Sequence, residues 1–480
     1  MTLSEENMKT KLLIGGMALA VTLSAPAFSV DLEIDKGFGV LRDKMLRQHS
    51  LQLFGVRGTL ARSSTDSLNA ATAEADPVAL VKTAGSLRAT VVSAAANLAP
   101  NIDMMALWPQ EKPTHIIACN EQGASDPGVQ RIRLSDGAVE TILSGTVSCD
   151  PVQGTAWGTV IVGEEAGNTG TVLELIDPLN TTGVVYDRAA QTLSGTDAGK
   201  VAIRHAIGHL SFEGVVAYPN GVMYYGDELR PSKGVAGGAY FKYIPDTLWT
   251  GGKISSLDQS PLVSGQVYGL RVGMNSGQTD YGQGTNTGLG VWVKVDNSNG
   301  ADLRAAAANL KLTGYYRPED ANMDPMSLAK GKVRFCANNT GNEEADKYWG
   351  ETICITDGTV KEAAANTATP EVQLLVTGTS EFAMMDNIAY QPGRGNWIIN
   401  EDGDAPGFAT NPHNNDIWTC LEDGYDVDTL SDGCVRIVSL NDLTAESTGG
   451  FFDADGKNYY FSVQHNITGH GVIVKLSNWK

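Results

Sequence analysis

The sequence lacks most of the short signatures by which an enzyme announces itself. It has no CxxC pair, so neither a zinc ribbon nor a thioredoxin-like site has support. There is no HExxH, no G-x-S-x-G nucleophile elbow and no P-loop. Its glycine-rich loops do not follow a strand-to-helix pattern, which leaves dinucleotide binding unsupported. Positive charge is scarce: 35 Lys and Arg stand against 55 Asp and Glu, a formal net charge of −20. Such a surface repels phosphate backbones and anionic membranes, and no basic cluster offsets it, so nucleic acid is excluded as a partner. Aromatics are modest at 7%. Long apolar runs are missing after the first thirty residues, so no membrane span is expected once the leader is removed.

The leader is the one apolar stretch. Lys9 and Lys11 precede the run LLIGGMALAVTL at 12–23, and Ala27-Phe28-Ser29 offers small residues for cleavage. This predicts a signal peptide over 1–29 and export to the periplasm or beyond. The six cysteines agree, because an even number in an exported chain favours disulfides. Their spacings predict the sequential pairs Cys119–Cys149, Cys336–Cys354 and Cys420–Cys434, each linking neighbouring strands of one blade.

Helical periodicity is rare after residue 110, whereas short apolar runs bounded by Gly, Asp, Asn and Pro are frequent. Six of these runs end on polar or acidic residues: His115–Glu121, Thr159–Glu165, Val222–Glu228, Val333–Asn339, Asn396–Asp402 and Asn458–His465. Their last positions are separated by 44, 63, 111, 63 and 63 residues. Before several of them lies a second short strand and a tight turn, as in FEGVVAYPNG and MDNIAYQPGRG. A long-period repeat of hairpins predicts an all-β fold, a single β-propeller of about six blades. The expected organisation is an N-terminal extension over 30–100 and the propeller over 101–480, with an insertion at about 230–315 in the long step.

In an antiparallel hairpin the start of the first strand and the end of the second lie at one end. Two sets of acids are thereby aimed at one rim. Asp103, Glu213, Glu319, Asp320, Asp386 and Asn387 open inner strands; Glu121, Glu164, Glu165, Asp227, Glu228, Glu401 and Asp402 close the returning ones. Bare carboxylates this close raise one another's pKa, and a bound cation removes the conflict. Oxygen-only ligation suits hard ions, Ca²⁺ first and Mg²⁺ or Mn²⁺ after it. His205 and His209 have transition-metal spacing with Glu213, His465 is expected to face the mouth, and His413, in the polar run NPHNND, is expected to face water.

The runs GTVIVGEEAG, LSFEGVVAYPNGVMYYGDE, YYRPEDANMDP, MMDNIAYQPGRGNWIINEDGD and STGGFFDADGKNYYFSVQH, in this order, resemble the PhoX-type propellers, a family that includes secreted alkaline phosphatases. The resemblance covers about residues 100–475. It implies a mouth where iron and calcium ions bind phosphate and activate an oxygen nucleophile. Carried over residue by residue, Glu164, Glu165, Glu213, Glu319, Asp386, Asn387, Glu401 and Asp402 would be metal ligands, and Asp227 and Glu228, which close a returning strand, complete the expected metal set. Arg317 would grip a small phosphate-containing substrate, and Arg317 and Glu213 would be the catalytic pair. Two positions depart from the pattern. Gly163 stands where active members tend to have an iron-binding cysteine, and Phe212 where a histidine is frequent. Both favour Ca²⁺ over Fe³⁺ or another transition metal. The expected activity is that of a phosphatase-like hydrolase of phosphate esters; the alternative is a non-catalytic, calcium-stabilised propeller for adhesion, scaffolding or assembly.

Overall fold

The computed structural model describes residues 34–231, 236–273, 286–296, 299–341, 349–403, 412–424 and 428–480, with side chains from residue 41 onward. The expected leader over 1–29 lies outside them. β-Branched and aromatic runs form strands, and the Gly, Asn, Asp and Pro between them form turns. The strands make five sheets of five, six, four, nine and four strands, antiparallel apart from one short pairing.

Six inner strands surround a common axis: Ile102–Trp108, Cys149–Gly154, Phe212–Ala217, Pro318–Met323, Met385–Tyr390 and Glu446–Phe452. Each touches the next, and the last touches the first. This is a propeller arrangement in an all-β chain with few helices. The nine-stranded sheet carries two of the inner strands, one at each end. Its two halves meet where Gly288–Lys294 pairs with Glu371–Thr377, Gly288 opposite Val372.

The N-terminal extension does more than precede the ring. Val81–Thr83 pairs with Cys434–Leu440, and Arg88–Ser93 pairs with Val472–Ser477. The first described strands therefore form outer edges of the two sheets that end the chain. The helix Ile34–Gln48 packs on the same side through buried Leu46, with Arg42 donating to the carbonyls of Ser431 and Asp432. The region expected as an insertion supplies Tyr240–Pro245, Gly265–Val272 and Gly288–Lys294 to the nine-stranded sheet, and the helix Leu303–Leu310. Aliphatic and aromatic side chains fill the spaces between sheets; Trp397, Tyr459 and Phe461 are wholly buried.

Every inner strand breaks register near its start, between Ile102 and Met105, Cys149 and Val152, Glu213 and Val216, Pro318 and Ala321, Met385 and Ile388, and Thr448 and Phe451. A bulge bends its strand and re-aims the side chains beside it. These six therefore set what faces the axis at one end of the channel.

All three disulfides pair as the spacings predict. Cys336–Cys354 and Cys420–Cys434 join residues directly opposite on adjacent strands of one sheet. Cys119–Cys149 differs from expectation. Cys119 lies in His115–Asn120 and Cys149 opens the inner strand of the next sheet, so this bond crosses between sheets. Counting residues gives the pairing, but which sheet each strand joins is decided by the ring.

Candidate functional site

At the bulged end, the channel opens into a cavity of about 210 Å³. Two tiers of side chains line it. Asp103, Asp150, Glu213, Glu319 and Asp386 are each the second residue of their inner strand, just ahead of or within the bulge, and Glu446 opens the sixth. The other tier comes from the residue that follows each second strand. Glu121, Glu165 and Asp402 lie there and line the cavity, Glu228 holds the same position beside them, and the two remaining places are Thr340 and His465. Nine carboxylates converge on this space, with Arg317 as the single arginine or lysine among its described lining residues.

The acidic pairs divide by strand alternation. Successive side chains of a strand point to opposite sides, so the second acid of each pair faces the axis and the first faces away. Glu164, Asp227 and Glu401, expected at the mouth, stand behind it. The oxygens of Asn120, Glu164 and Glu401 accept the backbone N–H groups of Asn101, Val147 and Ala383, at the turns that enter inner strands (3.2, 2.9 and 3.1 Å). Asp227 is bonded in the same way to the backbone of Ser211. Arginines hold two of them from outside: Arg188 Nε lies 2.8 Å from Glu164 Oε1, and Arg304 Nη2 2.6 Å from Asp227 Oδ1. Asn387 also points away, accepting the N–H of Gly449 at 2.8 Å. Asp320 accepts the N–H groups of Ala321 and Ile388, and it lies lower in the channel, where Met104, Val152, Val215 and Phe451 line a further space of about 270 Å³.

Asp150 and Glu446 belong to the mouth although the sequence reading passed over them. The signal was present. The inner acid precedes its outer partner by 15 residues in Glu213–Glu228, by 16 in Asp386–Asp402 and by 18 in Asp103–Glu121. Counting back 15 from Glu165 gives Asp150. Glu446 stands 19 before His465, where the outer partner is not an acid.

Burial pushes the carboxyl groups of Asp103, Glu165, Glu213, Glu319, Asp386 and Glu446 well above the usual range, and the negative charge of their neighbours adds to it; at Glu319, Arg317 partly opposes the rise. Glu121 is pushed up to about 7, mainly by burial and then by Asp150. Asp150 is raised too, again by burial first. Glu228 goes the other way: burial raises it, but the charge and hydrogen bond of Arg317 more than offset that. Two buried oxygens, Asp103 Oδ1 and Asp150 Oδ1, have no hydrogen-bond partner in the protein. An uncompensated buried carboxylate is costly, and hard oxygen donors of this kind fit a hard cation.

Arg317 is held by three carboxylates: its Nε lies 2.5 Å from Glu228 Oε1, and its Nη2 lies 3.2 Å from Glu319 Oε1 and 3.4 Å from Asp402 Oδ2. Its backbone is left-handed, φ +57, as are those of Ser148 and Met384, which likewise stand just before inner strands. Non-glycine residues take this conformation at a cost of order 1 kcal/mol each when the surroundings impose it. Here Thr340 imposes it by donating its N–H to the Arg317 carbonyl at 3.0 Å. The Thr340 hydroxyl also donates to Glu319 Oε1 at 2.5 Å.

The histidines sort differently from expectation. His465 reaches the cavity beside Glu446, Nε2 3.9 Å from Oε2. His413 is buried rather than facing water, with Nε2 3.7 Å from Glu401 Oε2. It forms a close cluster with Glu401 and Asp416, but Arg436 already pairs with Asp416 there. His209 bonds the Gly170 carbonyl at 3.0 Å, whereas Glu213 belongs to the mouth, so the three do not form one site. At Gly163, a Cβ would stand 2.7 Å from the Pro151 ring and 3.0 Å from Phe212 Cβ. The place of a thiolate is thus already filled by carbon.

No family model matches this chain, and no curated protein matches it. Solved structures do. The chain is similar to Pseudomonas fluorescens PhoX in complex with vanadate, a transition-state analogue, at 15% identity and a TM-score of 0.57, over 88% of this chain and 98% of that one. It also matches a Xanthomonas campestris gluconolactonase (11% identity, TM-score 0.43, 88% and 98%) and a Thermus thermophilus oxidoreductase described as a glucose dehydrogenase (11%, 0.43, 81% and 99%). The likeness to the PhoX structure is one of fold.

Proposed function

We propose that the chain is an exported propeller hydrolase that cleaves phosphate esters at a mouth loaded with Ca²⁺. The observation that carries this reading is the convergence of nine carboxylates and one arginine on a single small cavity. We count six blades, taking the nine-stranded sheet as two that share an outer-edge pairing. The donors that line the mouth are mostly carboxylate oxygens; Glu165, Glu213, Glu319, Asp386 and Asp402 from the expected set, with Asp103, Glu121, Asp150 and Glu446, would hold the ions. Gly163 and Phe212 leave Fe³⁺ without a thiolate or an added imidazole, so calcium is the resident ion we assign. Bound there, divalent ions supply positive charge that polarises a phosphoryl oxygen. The chain's own part is positioning. The planar guanidinium of Arg317, fixed at the rim by Glu228, Glu319 and Asp402, orients the phosphate and offsets charge that grows in the transition state. Glu213 is buried among like charges and is the second residue we assign to the chemistry. The fold-level likeness to a propeller that binds vanadate supports a phosphorus-centred substrate. The leader and three disulfides support export to the periplasm or the medium.

A second reading is a calcium-stabilised propeller without turnover, used for adhesion, scaffolding or assembly. What favours it is Arg317 itself, whose guanidinium already meets three carboxylates. Hydrolysis of a chromogenic phosphomonoester decides between the two. The first expects turnover that a chelator abolishes and that Arg317→Ala lowers roughly a hundredfold. No turnover from neutral to alkaline pH, with calcium or iron supplied, rejects it. A melting temperature that still falls on chelation then upholds the second.

A further inference from the structure

We infer that the Cys119–Cys149 disulfide is the positioning bond of the mouth, holding Glu121 and Asp150 where they bind a cation. The inference rests on the reading of the mouth as a cation site. Its basis is a contact that recurs between successive hairpins of the ring. At three successive junctions, the residue two places before the mouth position lies against the residue that opens the next inner strand. At one junction this is Gly163 against Phe212, where a Cβ on the glycine would come within 3.0 Å of the phenylalanine Cβ. At the next it is Gly226 against Pro318, where the same distance is 2.9 Å. At the first junction the equivalent residues are Cys119 and Cys149, and the contact is covalent, with Cα atoms 5.1 Å apart. At those two junctions the hairpins are keyed by close packing; here they are tied.

What the tie holds is the pair of mouth carboxylates next to it. Asp150 follows Cys149 directly, and Glu121 lies two residues beyond Cys119. Both cysteines are fully buried behind the cavity wall. Asp150 feels the charges of Glu228 and Asp402, lies within hydrogen-bonding reach of Asp103 and Glu213, and keeps one oxygen without a protein partner. The charges of Glu228 and Asp402 oppose its ionised form at this place. The residue before the cysteine, Ser148, is left-handed at φ +43. The Ser148 N–H donates to the Gln122 carbonyl at 2.9 Å, and its carbonyl accepts the Glu165 N–H at 2.7 Å. These bonds and the disulfide hold Ser148 and Cys149, the two residues that lead into Asp150. The other two disulfides bridge adjacent strands within a sheet, and no residue next to their cysteines lines the mouth.

Calcium titration by calorimetry on the whole mature chain tests this, with circular dichroism to show that each variant is folded. C119A/C149A is expected to bind calcium at least tenfold more weakly, or to lose an ion from the stoichiometry. C336A/C354A is expected to bind as the unaltered protein does, although its melting temperature falls. Unchanged affinity and stoichiometry in C119A/C149A overturn the inference and leave the mouth reading standing. An unaltered protein that binds no calcium overturns both. If C119A/C149A does not fold, C119G/C149F, which copies the Gly163–Phe212 contact, replaces it under the same criteria. If neither folds, the bond holds the fold rather than the mouth, and the inference fails.

Discussion

Glu164 and Glu165 are chemically identical neighbours with different work. Glu165 faces like charges in the mouth, whereas Glu164 accepts the Val147 N–H and the Arg188 guanidinium behind it. Two substitutions should therefore separate. Glu165→Gln removes a mouth oxygen's charge and is expected to weaken calcium binding while leaving the calcium-free protein at least as resistant to denaturant. Glu164→Ala strands a buried backbone N–H and is expected to lower stability in denaturant by about 1–3 kcal/mol with calcium affinity much less changed. Equal effects on both measurements would show that the alternation does not sort these acids. The sequence disclosed that acids cluster at run ends. It did not disclose which of two adjacent acids faces the axis, because that depends on where each strand's last paired residue falls.

At the level of the strand, the repeated bulge and the contact between sheets do the positioning. Gly163 allows Pro151 and Phe212 to close against it. Gly163→Cys should thus not restore a soft metal ligand. It should overpack the junction, lowering stability by about 1–3 kcal/mol, with no gain in bound iron by elemental analysis. Retained stability together with stoichiometric iron would contradict the packing. Strand ends and turns were legible from Pro, Gly and Asp punctuation, and so were the six hairpins. The bulges were not, since no residue type marks them consistently: Pro318 and Met385 occupy equivalent places.

Across the whole molecule, the concentration of buried acid makes stability depend on pH in an unusual direction. A carboxyl group raised on folding stabilises the fold fully below its unfolded pKa, and that contribution disappears as pH rises through the folded value. For Glu121 the window runs from the ordinary 4.5 to about 7, and the other raised mouth acids act in the same sense. The chelated protein is expected to melt at progressively lower temperature as pH climbs through that window. Saturating calcium should remove or reverse the trend, since ions bind the deprotonated groups and only the folded chain assembles them. A chelated protein whose melting temperature rises over the same window would refute the picture of a buried, unneutralised mouth.

Composition, turn chemistry and the long repeat by themselves pointed to an all-β propeller, to sequential pairing of the cysteines and to a rim rich in carboxylates, because each is written in local spacing. Tertiary structure alone decided that Glu446 joins the mouth beside a histidine, that Glu164, Asp227, Asn387 and Glu401 stand outside it, and that strands before residue 100 complete the last sheets. Closing a ring brings residues hundreds of positions apart onto one axis, and strand register then chooses which side chains face it. Neither quantity is encoded at any single place along the chain.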